Sequence, residues 1–166
     1  MKGDEEDPQP ANVTIRLASL ADAVTLARLR YEFRASLCEP EEPFEVFVAR
    51  CERWMKERLQ DGNSWRCWIG ESDGAPVGHL WVQLIEKIPN PISEPEQHAY
   101  LTNFYVREAN RGRGVGSRLL AAAMDWIQGQ DVHAMILWPT DESRTLYLRN
   151  GFAVPEDLME KIITNG

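Results

Sequence analysis

The sequence predicts a single domain of mixed α/β (α+β) class, and three observations carry that prediction. Short runs of strand character interleave with longer runs whose apolar residues recur every three or four positions, along nearly the whole chain. The 166 residues suit one core of ordinary size. One stretch, 99–127, joins a strand-like AYLTNFYV to a helix-like SRLLAAAMDWI through the turn REANRGRGVG. The remaining elements are arranged around it.

Taken in order, residues 1–12 are charged, proline-bearing and aperiodic, the composition of a disordered lead-in, so the folded domain is expected over 13–166. Val13 to Leu17 alternates as a first strand. Ser19 then caps a helix over Ala21 to Leu37, where Val24, Leu26, Ala27, Leu29, Tyr31, Phe33 and Leu37 give the helical pattern. The acidic connector Glu39-Pro40-Glu41-Glu42-Pro43 cannot be helical. A second helix over Phe44 to Leu59 follows, with Phe44, Phe47, Val48, Cys51, Trp54 and Met55 on one face.

Trp65 to Gly70 and Pro76 to Leu84 flank a Ser-Asp-Gly turn and read as a hairpin. Three prolines make Glu86 to Gln97 a surface loop that borders either solvent or an acceptor site. After the central strand, turn and helix, which ends near Gly129, His133 to Trp138 reads as a buried strand stopped by Pro139. A helix from Thr140 as N-cap to Gly151 at its C-terminal turn comes next. The rest, Phe152 to Thr164, suffices for two short strands around Pro155.

The turn carries the chemistry. Gly112, Gly114 and Gly116 open a helix whose first backbone amides have no partner inside it, and Arg107, Arg111, Arg113 and Arg118 lie close by in sequence. Amides at a helix start ringed by guanidinium groups form an anion cradle suited to a pyrophosphate. A dinucleotide fingerprint is excluded because Ser117 stands where its third glycine belongs, and a P-loop because the turn has no lysine. In a chain of net charge −8, such arginine density is more than helix-start punctuation.

Arg111-Gly112-Arg113-Gly114-Val115-Gly116 resembles the pyrophosphate-binding motif of the GCN5-related N-acetyltransferase (GNAT) family. A second segment, Thr140 to Phe152, resembles that family's later motif: Tyr147, Gly151 and Phe152 match it, while Thr140 replaces its asparagine and Ser143 its alanine. The resemblance implies a mixed, largely antiparallel sheet of six to seven strands, helices on both faces, and a central strand pair that splays to admit acetyl-coenzyme A. It implies that Arg111, Gly112, Arg113, Gly114, Val115, Gly116 and Ser117 bind the pyrophosphate. Phe104, Tyr105 and Val106 would lie along the pantetheine arm, with Phe104 and Val106 lending main-chain groups, and Thr140 and Tyr147 would complete the cofactor site. A bulge near Asn103 and Phe104 would free a main-chain amide for the oxyanion. Tyr147 is then the candidate catalytic acid, since a phenol with a reference pKa of about 10 is protonated at neutral pH and can serve a leaving thiolate.

No base can be named. Neither strand beside the turn holds an acid, and His98 and His133 sit at strand starts as capping or surface residues. The branch of that family that acetylates protein N-termini uses a strand glutamate, so the resemblance, with none here, implies a small-molecule primary amine as acceptor, and a cationic one if Glu39, Glu41, Glu42 and Glu45 attract it. The alternative is a non-catalytic acyl-coenzyme A sensor of the same fold.

The net charge of −8 disfavours nucleic acid and anionic membranes, and no apolar run reaches bilayer length. Cys38, Cys51 and Cys67 are odd in number and lack ligand spacing, so neither a metal site nor a disulfide framework is expected, and a cytoplasmic location is. Trp54, Trp65, Trp68 and Trp81 exceed what one small core needs, which would suit a homodimer.

Overall fold

In a computed structural model, which describes residues 12–163 except 61 and 63, five strands form one sheet in sequence order. They are β1 (Val13–Leu17), β2 (Trp65–Ser72), β3 (Ala75–Glu86), β4 (Gln97–Val106) and β5 (Ala134–Ile136). The first four pair antiparallel and β5 joins β4 in parallel, so the sheet is mixed and largely antiparallel. Four α-helices accompany it: α1 (Ala23–Ala35), α2 (Phe44–Arg58), α3 (Val115–Gln128) and α4 (Arg144–Arg149). The expected lead-in falls almost wholly outside the described residues.

The sheet carries a core on each face. One holds β-strand residues Trp68, Leu80, Val82, Ala99 and Leu101 against Val115, Leu119, Leu120, Ala123 and Ile127 of α3, joined by Tyr147 of α4. The other packs Leu26, Ala27, Val48 and Met55 of α1 and α2 on Cys67, Ile69 and Trp81. Period-2 alternation in β2 and β3 sends neighbours to opposite cores: Ile69 and Trp81 one way, Trp68 and Leu80 the other. Gly70 of β2 seats α3, because a Cβ there would lie 2.6 Å from Val115 Cγ1.

Three expectations need correction. The sheet has five strands, not six or seven, since no described residue after Phe152 joins it; Pro155 has no N–H to offer a ladder. The fifth strand is three residues long and only half buried, because pairing with β4 stops at Tyr100. Finally, α4 begins at Arg144 with Ser143 as N-cap. Thr140 instead opens the preceding turn, where its hydroxyl and amide both bond Ser143 Oγ at 2.9 Å.

Candidate acetyl-transfer site

The site lies where β4 parts from β5. Their pairing runs only from His98–Ala134 to Tyr100–Ile136, and beyond it the two strands diverge. On the other edge of β4, the register with β3 slips between His79 and Trp81, which marks a bulge whose centre is Asn103 at φ 51°. The bulge turns Thr102 and Asn103, though consecutive, toward one cavity on the α1–α2 face. Phe104 packs on the opposite face, with its ring near Gly116 and Tyr147.

Past the bulge the ladder is regular again. The Arg107 N–H donates to Val77 O at 2.8 Å, which places the main-chain groups of Tyr105 and Arg107 toward β3. By antiparallel alternation those of Phe104 and Val106 face the cleft, where no strand among the described residues meets them. Arg111 Nε donates to Val106 O at 2.9 Å across the mouth of this cleft. Tyr105 is turned away: its main chain pairs with His79 and its ring stacks on Phe33 of α1, centroids 5.2 Å apart.

At the end of the cleft, Gly114 is the N-cap of α3 with φ 80°, a left-handed conformation that glycine adopts without strain. Gly112 has φ 74°. Among the described residues, the amides of Gly112, Arg113, Gly114, Val115, Gly116 and Ser117 have no acceptor; the first helical bond is Arg118 N–H to Gly114 O. Six consecutive open donors at a helix start suit a diphosphate in number and polarity. The cradle is made of backbone, however, more than of guanidinium groups. Arg107 is held by Glu32 of α1 at 2.7 Å, and Arg118 donates to Val13 O. Arg113 alone of the four makes no hydrogen bond or ion pair among the described residues.

Tyr147 is 7% exposed, between Phe104 and Phe152 with centroids 6.2 and 5.4 Å away. Burial pushes its phenol up to about 12, so it is a neutral donor at any physiological pH. Thr140, in contrast, is exposed and its hydroxyl is engaged by Ser143.

Across β4 lies a cavity of about 450 Å³ lined by Arg30, Phe47, Arg50, Cys51, Trp54, Met55, Trp65, Trp81, Tyr100, Thr102 and Asn103. Sequence reasoning missed it, because its walls come from α1, α2 and three strands that are distant in the chain. Trp54, Trp65 and Trp81 form one wall with centroids 5.2 to 6.1 Å apart, and Trp68 packs on Trp126 in the other core. The tryptophans that suggested a homodimer are thus used within the chain.

The acidic connector, expected to draw a cationic amine, does not reach this cavity as free charge: Glu42 is bound by Arg50 at 2.6 Å, and among the described residues no carboxylate lines the walls. Neither His98 nor His133 is placed to be a base, since His98 is five residues before the bulge, roughly 16 Å along the strand, and its ring meets that of His133.

The family model of the acetyltransferase (GNAT) family matches residues 27–152, three quarters of the chain and both sides of the cleft. The chain belongs to the GNAT family. A probable N-acetyltransferase of Mycobacterium tuberculosis is 26% identical over 154 residues, covering 88% of this chain and 83% of its own. Among solved structures, a GCN5-related N-acetyltransferase from Ralstonia eutropha superposes with a TM-score of 0.75 at 24% identity, covering 91% of this chain and 99% of its own. A predicted acetyltransferase from Clostridium acetobutylicum, crystallised with acetyl-CoA, gives 0.76 at 20% identity, covering 91% and 96%. This GNAT chain shares their fold, with the bulge, cleft and glycine turn described above.

Proposed function

We propose that this GNAT enzyme transfers an acetyl group from acetyl-coenzyme A to the primary amine of a small molecule by direct attack on the thioester. The observation that carries the reading is the continuity of unpartnered main-chain donors. They run from the open edge of β4 at Phe104 and Val106 to the amides of residues 112–117, one cleft with a diphosphate site at its end. A structural neighbour crystallised with acetyl-CoA supports the choice of donor.

In this reading Gly112 to Ser117 hold the pyrophosphate through their amides, with the Arg111 and Arg113 side chains beside it. Phe104 and Val106 pair with the pantetheine arm, which fixes the thioester near the bulge. Tyr105 and Thr140 make no direct contact through their side chains, for the geometric reasons given above. The amine enters from the aromatic cavity, on the other side of Asn103, so the two substrates meet at the bulge. Attack forms the C–N bond and places negative charge on the carbonyl oxygen, to which a free amide N–H of the bulge donates a hydrogen bond. Collapse breaks the C–S bond.

Tyr147 then donates a hydrogen bond to the departing sulfur. With its pKa near 12, against about 8.5 for an ordinary thiol, full proton transfer from the phenol is uphill. It therefore stabilises the thiolate by hydrogen bonding, while the proton shed by the attacking nitrogen reaches the thiolate through solvent and gives the free thiol. Among the described residues no wall residue of the cavity is a carboxylate or a histidine, so in this reading the amine reacts as its free base.

The test is thiol release from acetyl-coenzyme A over a panel of amines, with coenzyme A affinity measured in parallel. Turnover that falls in Tyr147→Phe while coenzyme A still binds supports catalysis; tight binding with no turnover on any amine establishes the sensor instead.

A further inference from the structure

We propose that the acceptor carries a carboxylate, bound by Arg30, beside an aromatic or broad apolar body that fills the tryptophan-walled cavity. The inference deepens the reading above and rests on it for the identity of the acceptor side, but the anion site it names exists whether or not the chain turns over.

Arg30, on the third turn of α1, lines the cavity and is half buried. No carboxylate lies within ion-pairing distance of it among the described residues. A charge taken out of water without a counterion is costly, and such groups are found paired unless a ligand supplies the partner. Among the described residues its one hydrogen bond runs from Nη1 to Asn103 Oδ1 at 3.0 Å, which leaves the Nε and Nη2 donors open. That pair is the edge of a guanidinium that meets a planar carboxylate with two parallel bonds.

The position of Arg30 is itself enforced. Asn103 is held in a left-handed conformation by the bulge, and its amide nitrogen lies 3.5 Å from Nδ1 of the fully buried His79. The same Nδ1 accepts from Trp81 Nε1 at 3.2 Å, so Nδ1 is the unprotonated nitrogen of a neutral ring. A chain Trp81–His79–Asn103–Arg30 thus fixes one donor of the guanidinium and presents the others. The second cavity arginine, Arg50, is already bound by Glu42 and exposed, so it contributes little net charge.

The walls select the rest of the ligand. Trp54, Trp65 and Trp81 with Phe47 and Tyr100 offer ring faces, and the cavity volume of about 450 Å³ falls in the ~300–1,000 Å³ range of small-molecule pockets. Among the described residues no wall carboxylate is available to a cationic head group. One open guanidinium edge matches one carboxylate; a polyphosphate would find neither a second free cation nor a run of backbone amides here. The fitting class is an amino acid or related amino-carboxylate with an aromatic or bulky apolar side chain.

The experiment uses the full chain with coenzyme A bound, titrated with N-acetyl-L-phenylalanine or with N-acetylphenethylamine, which differs only by the missing carboxylate, and read by tryptophan fluorescence. The carboxylate-bearing probe is expected to bind about tenfold or more tightly. Arg30→Gln should reduce that preference to about twofold or less, Arg30→Lys should retain part of it, and coenzyme A affinity should hold in both variants as the check on folding. Equal affinity for the two probes, binding of neither, or a preference that survives Arg30→Gln would overturn the proposal. In parallel, kcat/KM for L-phenylalanine against phenethylamine separates the two claims. Turnover that favours the amine without the carboxylate sinks this inference alone, whereas no turnover on any amine with carboxylate binding intact sinks the enzymatic reading and leaves the anion site standing.

Discussion

The two sides of β4 are built by opposite means. On the α3 side the cleft is lined by backbone: amides of residues 112–117 and the open N–H groups of Phe104 and Val106, all within fourteen consecutive residues. On the α1–α2 side the cavity is made of side chains, with Arg30, Trp54, Trp65, Trp81 and Asn103 brought together over more than seventy positions of sequence. A backbone site tolerates change in most of its side chains but fails wherever a glycine conformation is lost. A side-chain site can be retuned one residue at a time without touching the first. The arrangement teaches how one fold can keep its donor and vary its acceptor.

The comparison can be broken most severely at Gly114. A β-branched side chain is strained at φ 80° and projects where a diphosphate would sit, so Gly114→Val should weaken coenzyme A by about a hundredfold or more, by titration calorimetry, with little change in carboxylate-probe binding on the other side. Tyr147→Phe should lower kcat by about a hundredfold, the loss of one hydrogen bond to a charged sulfur worth roughly 2–3 kcal/mol, while coenzyme A affinity stays within about twofold.

The pH profile sharpens the same point. Tyr147 is raised above its ordinary pKa and stays protonated until about 12, so kcat/KM should climb with the free-base fraction of the amine and show no descending limb below about pH 11. A fall near pH 10 would mean an unburied phenol.

Smaller effects concern the support between the two sides. Burial lowers His79 to about 3, below its unfolded value of about 6.5, so the unfolded chain takes the proton first as pH falls. Its contribution to stability is present above about pH 6.5 and is lost on acidification toward 3. Between pH 6.5 and 5 that amounts to about 2 kcal/mol, and urea midpoints of His79→Gln should fall less over this interval than those of the native chain. The smallest effect is expected at the half-exposed Glu32–Arg107 pair, where Glu32→Gln should cost under about 1 kcal/mol in chemical denaturation.

What could be read from the chain follows the same division. The glycine turn, the strand before it and the helix after it are contiguous, so their local signals arrive together, and Tyr147 with Gly151 and Phe152 forms a second contiguous signature. Arg30 and His79 carried no such signal: each looks like an ordinary helix or strand residue until the bulge at Asn103 joins them. The guanidinium ring inferred around the turn dissolved for a related reason, because Arg107 and Arg118 find partners in α1 and β1 that proximity in sequence does not reveal. Thr140 and Ser143 can each open a helix, and the chain uses them together in one turn, with Ser143 as the cap. The two strands expected after Phe152 do not form among the described residues, although β5 leaves a sheet edge beside them: it is three residues long and gives little ladder to pair with.

The central claim is that the amides at the start of α3 grip the diphosphate of coenzyme A. Backbone amide NMR of the isotopically labelled chain tests it most directly: coenzyme A should move the resonances of Gly112, Gly114, Gly116 and Ser117 well beyond those of β1, and pantetheine, which has no diphosphate, should leave them in place. Coenzyme A bound with those four resonances unmoved would contradict the account.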